Sequence, residues 1–236
     1  MSDDLNELML QHLPSPQRPL LGLTVLVVED SRFASEAMRL LCLRSGARIR
    51  RADCLASAHR HLQTYRPGVV IVDMGLPDGS GADLIREIRA MTAPVPVILG
   101  TSGDTDVEDE AITAGADGFL QKPLESLSAF QHAILVALPE DRRPVGLHAI
   151  SDDMIHPDPI ALQDDLHHMA EMLSDRTDAR SLHYAAQFLT GVARSAHDTA
   201  LETAATALGR TGAPSAADLT HLNALVQERL AAGAAF

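Results

Sequence analysis

The chain has no tryptophan, two tyrosines and two cysteines in 236 residues. Aromatics make up only 3%, so aliphatic side chains must build the core, and a hydrophobic content of 46% is ample for that. Cys42 and Cys54 are too few and wrongly spaced for a disulfide framework or a zinc site, and are expected to be reduced structural thiols. No apolar run approaches the roughly 18 residues that a membrane span needs. The acidic N-terminus lacks the charged start of a signal peptide, so a cytoplasmic protein is expected. Basic charge is scarce as well. The formal net charge is −13, which argues against non-specific attraction to nucleic acid or to an anionic membrane. Among 19 lysines and arginines, Lys122 is the sole lysine.

What is present starts with Val69-Val70-Ile71-Val72, an apolar, mostly β-branched run of the kind buried on both faces of a parallel sheet. It ends on Asp73 and a Pro/Gly-rich loop, Gly75 to Gly81. A lone aspartate there more often caps the loop, but three other strand ends also carry polar groups. Thr24 to Val28 ends on Glu29-Asp30, Val95 to Leu99 on Gly100-Thr101-Ser102, and Gly118 to Gln121 on Lys122-Pro123. Ala47 to Arg51 reads as an edge strand. Helices are expected from Ser31 to Gly46, Leu55 to Tyr65, Leu84 to Met91 behind a Ser80/Asp83 capping box, Thr105 to Gly115, and Ser126 to Leu138. Strict alternation of five strands and five helices predicts an α/β doubly wound parallel sheet.

Right-handed crossovers bring all strand C-termini to one edge, where Glu29, Asp30, Asp73, Thr101 and Lys122 would converge. Three crowded carboxylates repel one another, and a divalent cation relieves that repulsion. An all-oxygen site with open water positions suits Mg²⁺. A carboxylate nucleophile beside such an ion, a hydroxyl and an ammonium makes a phosphoryl-transfer site. A haloacid-dehalogenase-type phosphatase also uses a strand-end Asp, but it wants a second Asp where Gly75 stands.

With those motifs in place, residues 22–139 resemble a response-regulator receiver domain. The resemblance implies a flavodoxin-like sheet of order 2-1-3-4-5 and an acidic pair, Glu29-Asp30, that binds Mg²⁺ with Asp73 and the backbone carbonyl of Gly75. It makes Asp73 the phospho-acceptor, and Thr101 and Lys122 the hydroxyl and lysine that bind the phosphoryl group. It implies a cis Lys122-Pro123 peptide and puts Phe119 in the place of the switch aromatic. Ser102 departs from the usual Ala or Gly and bears on the lifetime of the phosphoryl group.

The first 20 residues read as a flexible arm, with Leu5, Leu8, Met9 and Leu13 forming a short amphipathic helix before Pro14. A receiver unit at 21–140 and a linker at 141–157 follow. Residues 158–236 show four amphipathic helices with short connections, an all-α four-helix bundle used for phosphotransfer-like contacts or dimerisation. Residues 152–236 hold twelve acidic and five basic side chains, so a DNA-binding output is not expected. Within the second helix, His183, Gln187, Thr190, Gly191 and Arg194 fall opposite the Leu182/Leu189/Val192 stripe. Residues 186–194 resemble the signature of histidine phosphotransfer domains, with Gln187 in place of the phosphorylatable His and Thr190 in place of a Lys. Gly191 keeps the small residue that leaves room for a docking receiver. Gln187 has no nucleophilic imidazole. His183 is the alternative carrier on that face, and like His167-His168 it is better read as a solvated surface side chain.

These readings describe a response regulator of bacterial two-component type, phosphorylated on Asp73 by a sensor histidine kinase or phosphotransfer protein. It would catalyse nothing beyond its own phosphorylation and dephosphorylation, and would act through protein contacts, including a homodimer. The alternatives are a phosphorelay intermediate whose C-terminal unit also carries phosphate, and a phosphorylation-independent adaptor.

Overall fold

The computed structural model describes residues 14–144, 153–175, 178–210 and 215–233. The expected helix through Leu5 and Leu13, and the middle of the expected linker, lie outside the described residues. The chain runs β1 (Thr24–Val28), α1 (Arg32–Ser45), β2 (Arg48–Ala52), α2 (Leu55–Thr64) and β3 (Val69–Asp73). A two-residue hairpin, β4 (Gly75–Leu76) and β5 (Gly79–Ser80), then leads to α3 (Gly81–Arg89). β6 (Val97–Ser102), α4 (Glu108–Ala114), β7 (Gly118–Gln121) and α5 (Leu127–Ala137) complete the sheet unit. The five long strands pair in parallel in the order β2-β1-β3-β6-β7.

Period-2 alternation within apolar strands puts side chains on both faces, and both faces are covered. Val25, Val27, Val69, Ile71, Val97 and Leu99 pack with Met38 and Leu41 of α1 and Phe130 and Ile134 of α5. Leu26, Val28, Val70, Val72 and Ile98 pack with Leu62, Ile85, Ile88 and Ala111 from α2, α3 and α4. Every residue of β3 is buried, which fixes the strand that carries Asp73 at the centre of the sheet.

Several boundaries differ from the sequence reading, each for a local reason. β6 extends to Ser102 because Thr101 pairs with Asp73 on one side and Leu120 on the other. α3 begins at Gly81, earlier than expected, because Gly81 donates its amide to the Met74 carbonyl at 3.2 Å. A Cβ at this position would lie 2.0 Å from the Asp73 carbonyl oxygen, so only glycine lets the helix start so close to the strand end. Ser80 caps α3 by accepting from the Ala82 amide, while Asp83 turns to Arg86 instead of closing a capping box. A 3₁₀ turn, Thr105–Val107, precedes α4 where one helix was expected.

Two stretches expected to be loose are anchored. Leu20 is fully buried in the sheet core, and its amide donates to the Ser45 carbonyl. Ile155, inside the expected linker, is also buried there, and its amide donates to the Glu125 carbonyl. Beyond it, the described residues hold α6 (Pro159–Asp175), α7 (Ala179–Ser195), α8 (Thr199–Arg210) and α9 (Ala216–Gly233). Leu166, Met169, Leu189, Val192, Leu201, Ala205, Leu222 and Val226 from these helices form one apolar core separate from those of the sheet.

Candidate phosphoryl-acceptor site

The sheet brings Glu29, Asp30, Asp73, Thr101 and Lys122 together at the carboxyl ends of β1, β3, β6 and β7. Lys122 Nζ donates to Asp73 Oδ2 at 2.9 Å and lies 2.7 Å from Glu29 Oε2. Lys122 and Glu29 therefore form a buried ion pair beside the Lys122–Asp73 one. Lys122 is buried, which accounts for the choice of lysine. A compact ammonium can reach two carboxylates from one point, whereas a guanidinium fork would need a wider slot.

One oxygen each from Glu29, Asp30 and Asp73 lies within 4.8 Å of the others. Burial pushes the Glu29 carboxyl well above the usual carboxylate range, and the neighbouring Asp73 adds to this against the pull of Lys122. Burial and Asp73 likewise push Asp30 up to about 7. Burial opposes the charge on Lys122, but Asp73 and Glu29 outweigh it and hold the amine above its ordinary value. Three carboxylates whose oxygens converge, an all-oxygen set carrying excess negative charge, fit a hard divalent cation.

Thr101 is fully buried opposite Asp73, but its hydroxyl donates to the Leu120 carbonyl at 2.8 Å. It must leave that bond to reach a phosphoryl oxygen. Phe119 is half-buried on β7 opposite Gly100, where a Cβ would come 3.0 Å from the Phe119 ring. The Lys122-Pro123 peptide is cis. The Gly75 amide donates to Asp73 Oδ1 at 3.3 Å, and the Met74 amide to the Thr101 carbonyl at 3.0 Å, which fixes the loop against Asp73. Ser102 accepts from the Asp104 amide at the rim.

The face of α7 read as outward is turned toward this site, with His183 and Gln187 still exposed. A cavity of about 590 Å³ has Asp73, Lys122, Gly75 and Ser102 on one wall and Ala186, Gln187, Thr190, Gly191 and Arg194 on the other. Gly191 permits close approach here: a Cβ on Gly103 would lie 3.1 Å from the Gly191 Cα. Gln187 Oε1 lies 3.7 Å from where a Cβ on Gly75 would sit. His183 also lines the cavity, whereas His167 and His168 line a separate groove between α6 and the sheet unit.

Two residues that tie the halves together escaped the sequence reading. Tyr184 donates its hydroxyl to Asp30 Oδ2 at 2.5 Å, a short bond of the kind a carboxylate accepts. Asp165, nearly fully buried, accepts from the Arg32 amide at 2.8 Å, the Phe33 amide at 3.1 Å and the Ser31 hydroxyl at 2.7 Å. It therefore sits as a carboxylate on the N-terminus of α1, where the helix dipole favours an anion. Burial raises the Asp165 carboxyl, and those three donors work against the rise. Both residues lie on ordinary amphipathic helices, and no local pattern marks a side chain whose partner is more than 130 positions away.

Fold and charged cluster together define an α/β protein with a strand edge suited to a cation and a phosphoryl group. Residues 25–134 match the family model of the response regulator receiver domain, and this segment is a receiver domain. The chain is 32% identical over 114 residues to the KDP operon transcriptional regulatory protein KdpE of Escherichia coli K12, covering 48% of this chain and 50% of that protein. It is 31% identical over 114 residues to the virulence transcriptional regulatory protein PhoP of Shigella flexneri, covering 47% and 51%. The chain thus spans about half the length of the curated relatives it matches. A solved response regulator receiver domain protein from Clostridium thermocellum superposes with a TM-score of 0.42 at 29% identity, covering 49% of this chain and 93% of that one. The matched residues stop short of α6, and none of these comparisons supports the expected resemblance of residues 186–194 to phosphotransfer domains.

Proposed function

We propose that this chain is a cytoplasmic response regulator that accepts a phosphoryl group on Asp73 from the phosphohistidine of a sensor kinase or phosphotransfer protein. The observation that carries the reading is Lys122 Nζ held between Asp73 and Glu29, with Asp30 beside them, at one edge of a receiver fold. Glu29, Asp30, Asp73 and the carbonyl of Gly75 are the groups that would hold Mg²⁺, which supplies charge neutralisation when bound. Asp73 attacks phosphorus through a carboxylate oxygen, the donor's N–P bond breaks, and its electron pair returns to the imidazole. Lys122 offsets the charge on the phosphoryl oxygens, and Thr101 exchanges its Leu120 partner for one of them. Phe119 follows into the space this opens.

The C-terminal residues act as a helical bundle through protein contacts. The curated relatives are transcriptional regulators, but the excess of acidic over basic side chains at 152–236 opposes a DNA-binding role here. The chain catalyses only the gain and loss of its own phosphoryl group.

The test is incubation with Mg²⁺ and acetyl phosphate. One base-labile acyl phosphate per chain is expected in the native protein and none in Asp73→Asn. Undiminished labelling of Asp73→Asn would overturn the assignment.

A further inference from the structure

We propose that Gln187 is a catalytic residue for hydrolysis of the phosphoryl group on Asp73, supplied within the same chain by α7. This rests on Asp73 being the phospho-acceptor. Lys122 occupies the inner side of the Asp73 carboxylate, and Thr101 lies buried beside it. A phosphoryl group on Asp73 must therefore project into the cavity whose far wall is α7. Hydrolysis needs a water on the side of phosphorus opposite the Asp73 oxygen, and that side is the α7 wall.

The polar side chains that α7 offers there are not equivalent. Thr190 donates its hydroxyl to the Ala186 carbonyl, and Arg194 is paired with Glu202. The Gln187 carboxamide has no hydrogen-bond partner among the described residues, and it reaches to the Gly75 side of the cavity. It is also exposed enough to meet water. A carboxamide cannot take the phosphoryl group itself, because its nitrogen lone pair is delocalised. It can accept a hydrogen bond from a water through Oε1 and donate to a phosphoryl oxygen through Nε2. Orienting an attacking water in this way is what a glutamine does in several phosphoryl-transfer sites.

The step balances simply. The water oxygen forms a bond to phosphorus, and the phosphorus–oxygen bond to Asp73 breaks with its electron pair remaining on the carboxylate. One water proton stays on the oxygen now bonded to phosphorus, and the other passes to a second phosphate oxygen or to solvent. No further reactant is needed. The docked helical region, fixed by Tyr184 on Asp30 and Asp165 on α1, keeps the carboxamide in place between turnovers. The proposal makes the helical half a timer for the receiver half.

The test uses the full chain, loaded with acetyl phosphate and Mg²⁺ and then freed of donor, and follows the decay of Asp73 phosphate. Gln187→Ala should lengthen the half-life about tenfold or more, as expected when a reacting water loses its orientation. Gln187→Asn, with the same amide on a shorter stem, should fall between the two. His167→Ala, in the separate groove beside α6, should decay as the native chain does. Amide exchange at Arg32 and Phe33 reports whether α6 remains docked and should be the same in all four proteins. Native decay in Gln187→Ala, or slowing accompanied by lost protection at Arg32 and Phe33, would overturn the proposal. If no phosphate forms on native Asp73, the reading of the acceptor fails instead, and the two failures are told apart by the loading step.

Discussion

Replacing Asp165 by Asn should loosen the two halves of the chain without touching the acceptor site. The native carboxylate accepts three hydrogen bonds from Ser31, Arg32 and Phe33 at the start of α1. Hydrogen bonds to a charged acceptor are worth roughly 1.5–3 kcal/mol each before desolvation is counted. The carboxylate is nearly fully buried, and its raised pKa shows that burial removes part of that gain. The favourable end of the α1 dipole contributes about 1 kcal/mol. A net loss of about 2–3 kcal/mol is the reasonable expectation. An Asn keeps one acceptor oxygen, but it turns an NH₂ toward a row of donors, so it cannot restore the arrangement. For a chain of this size the loss corresponds to about 4–12 °C in melting temperature. Hydrogen exchange locates the effect: the amides of Arg32 and Phe33 should lose protection, while those of β3 keep theirs. Adding Tyr184→Phe, which removes the other tie, should increase the hydrodynamic radius. Unchanged melting and unchanged exchange at Arg32 and Phe33 in Asp165→Asn would refute this account of the docking.

Two further outcomes follow from the site itself. In the unfolded chain Asp30 titrates near 3.8, and in the folded one near 7, so the folded state holds a proton that the unfolded state has already lost in between. Stability of the metal-free protein should therefore fall as pH rises through that window, by at most about 1.4 kcal/mol per pH unit from this group. Glu29 acts in the same direction. Saturating Mg²⁺ should flatten the profile, and a metal-free melting temperature that held level from pH 5 to 7 would count against the crowded-carboxylate picture. At the loop, Gly81→Ala places a Cβ 2.0 Å from the Asp73 carbonyl oxygen. A cost on the order of 3 kcal/mol or more is expected, with loss of labelling at Asp73; chemical denaturation measures it, and a native midpoint would show that the strand end tolerates displacement.

The receiver half was legible because its information is local. The apolar run Val69 to Val72 fixes a strand buried on both faces, and the polar residues at successive strand ends need only right-handed crossovers to meet. Strand boundaries were less legible. Thr101 belongs to β6 because Asp73 and Leu120 flank it, and a window along the chain does not see its neighbours in the sheet. Leu20 and Ile155 read as loose for a similar reason, since each is held by a backbone bond to a distant residue and by a core built from distant residues.

By itself the sequence determined the alternation of strands and helices, the charged cluster at one edge and the amphipathic period of the helices behind it. Hydrophobic period and strand-end chemistry are properties of short stretches, so they survive without knowledge of the fold. The tertiary structure decided what the polar face of α7 meets. Periodicity separates an apolar stripe from a polar face, but it cannot tell a polar face turned to solvent from one turned to another polar surface. Tyr184 on Asp30, Asp165 on α1 and Gly191 against Gly103 put that face over Asp73, and only packing at long range could bring Gln187 to the mouth of the acceptor site.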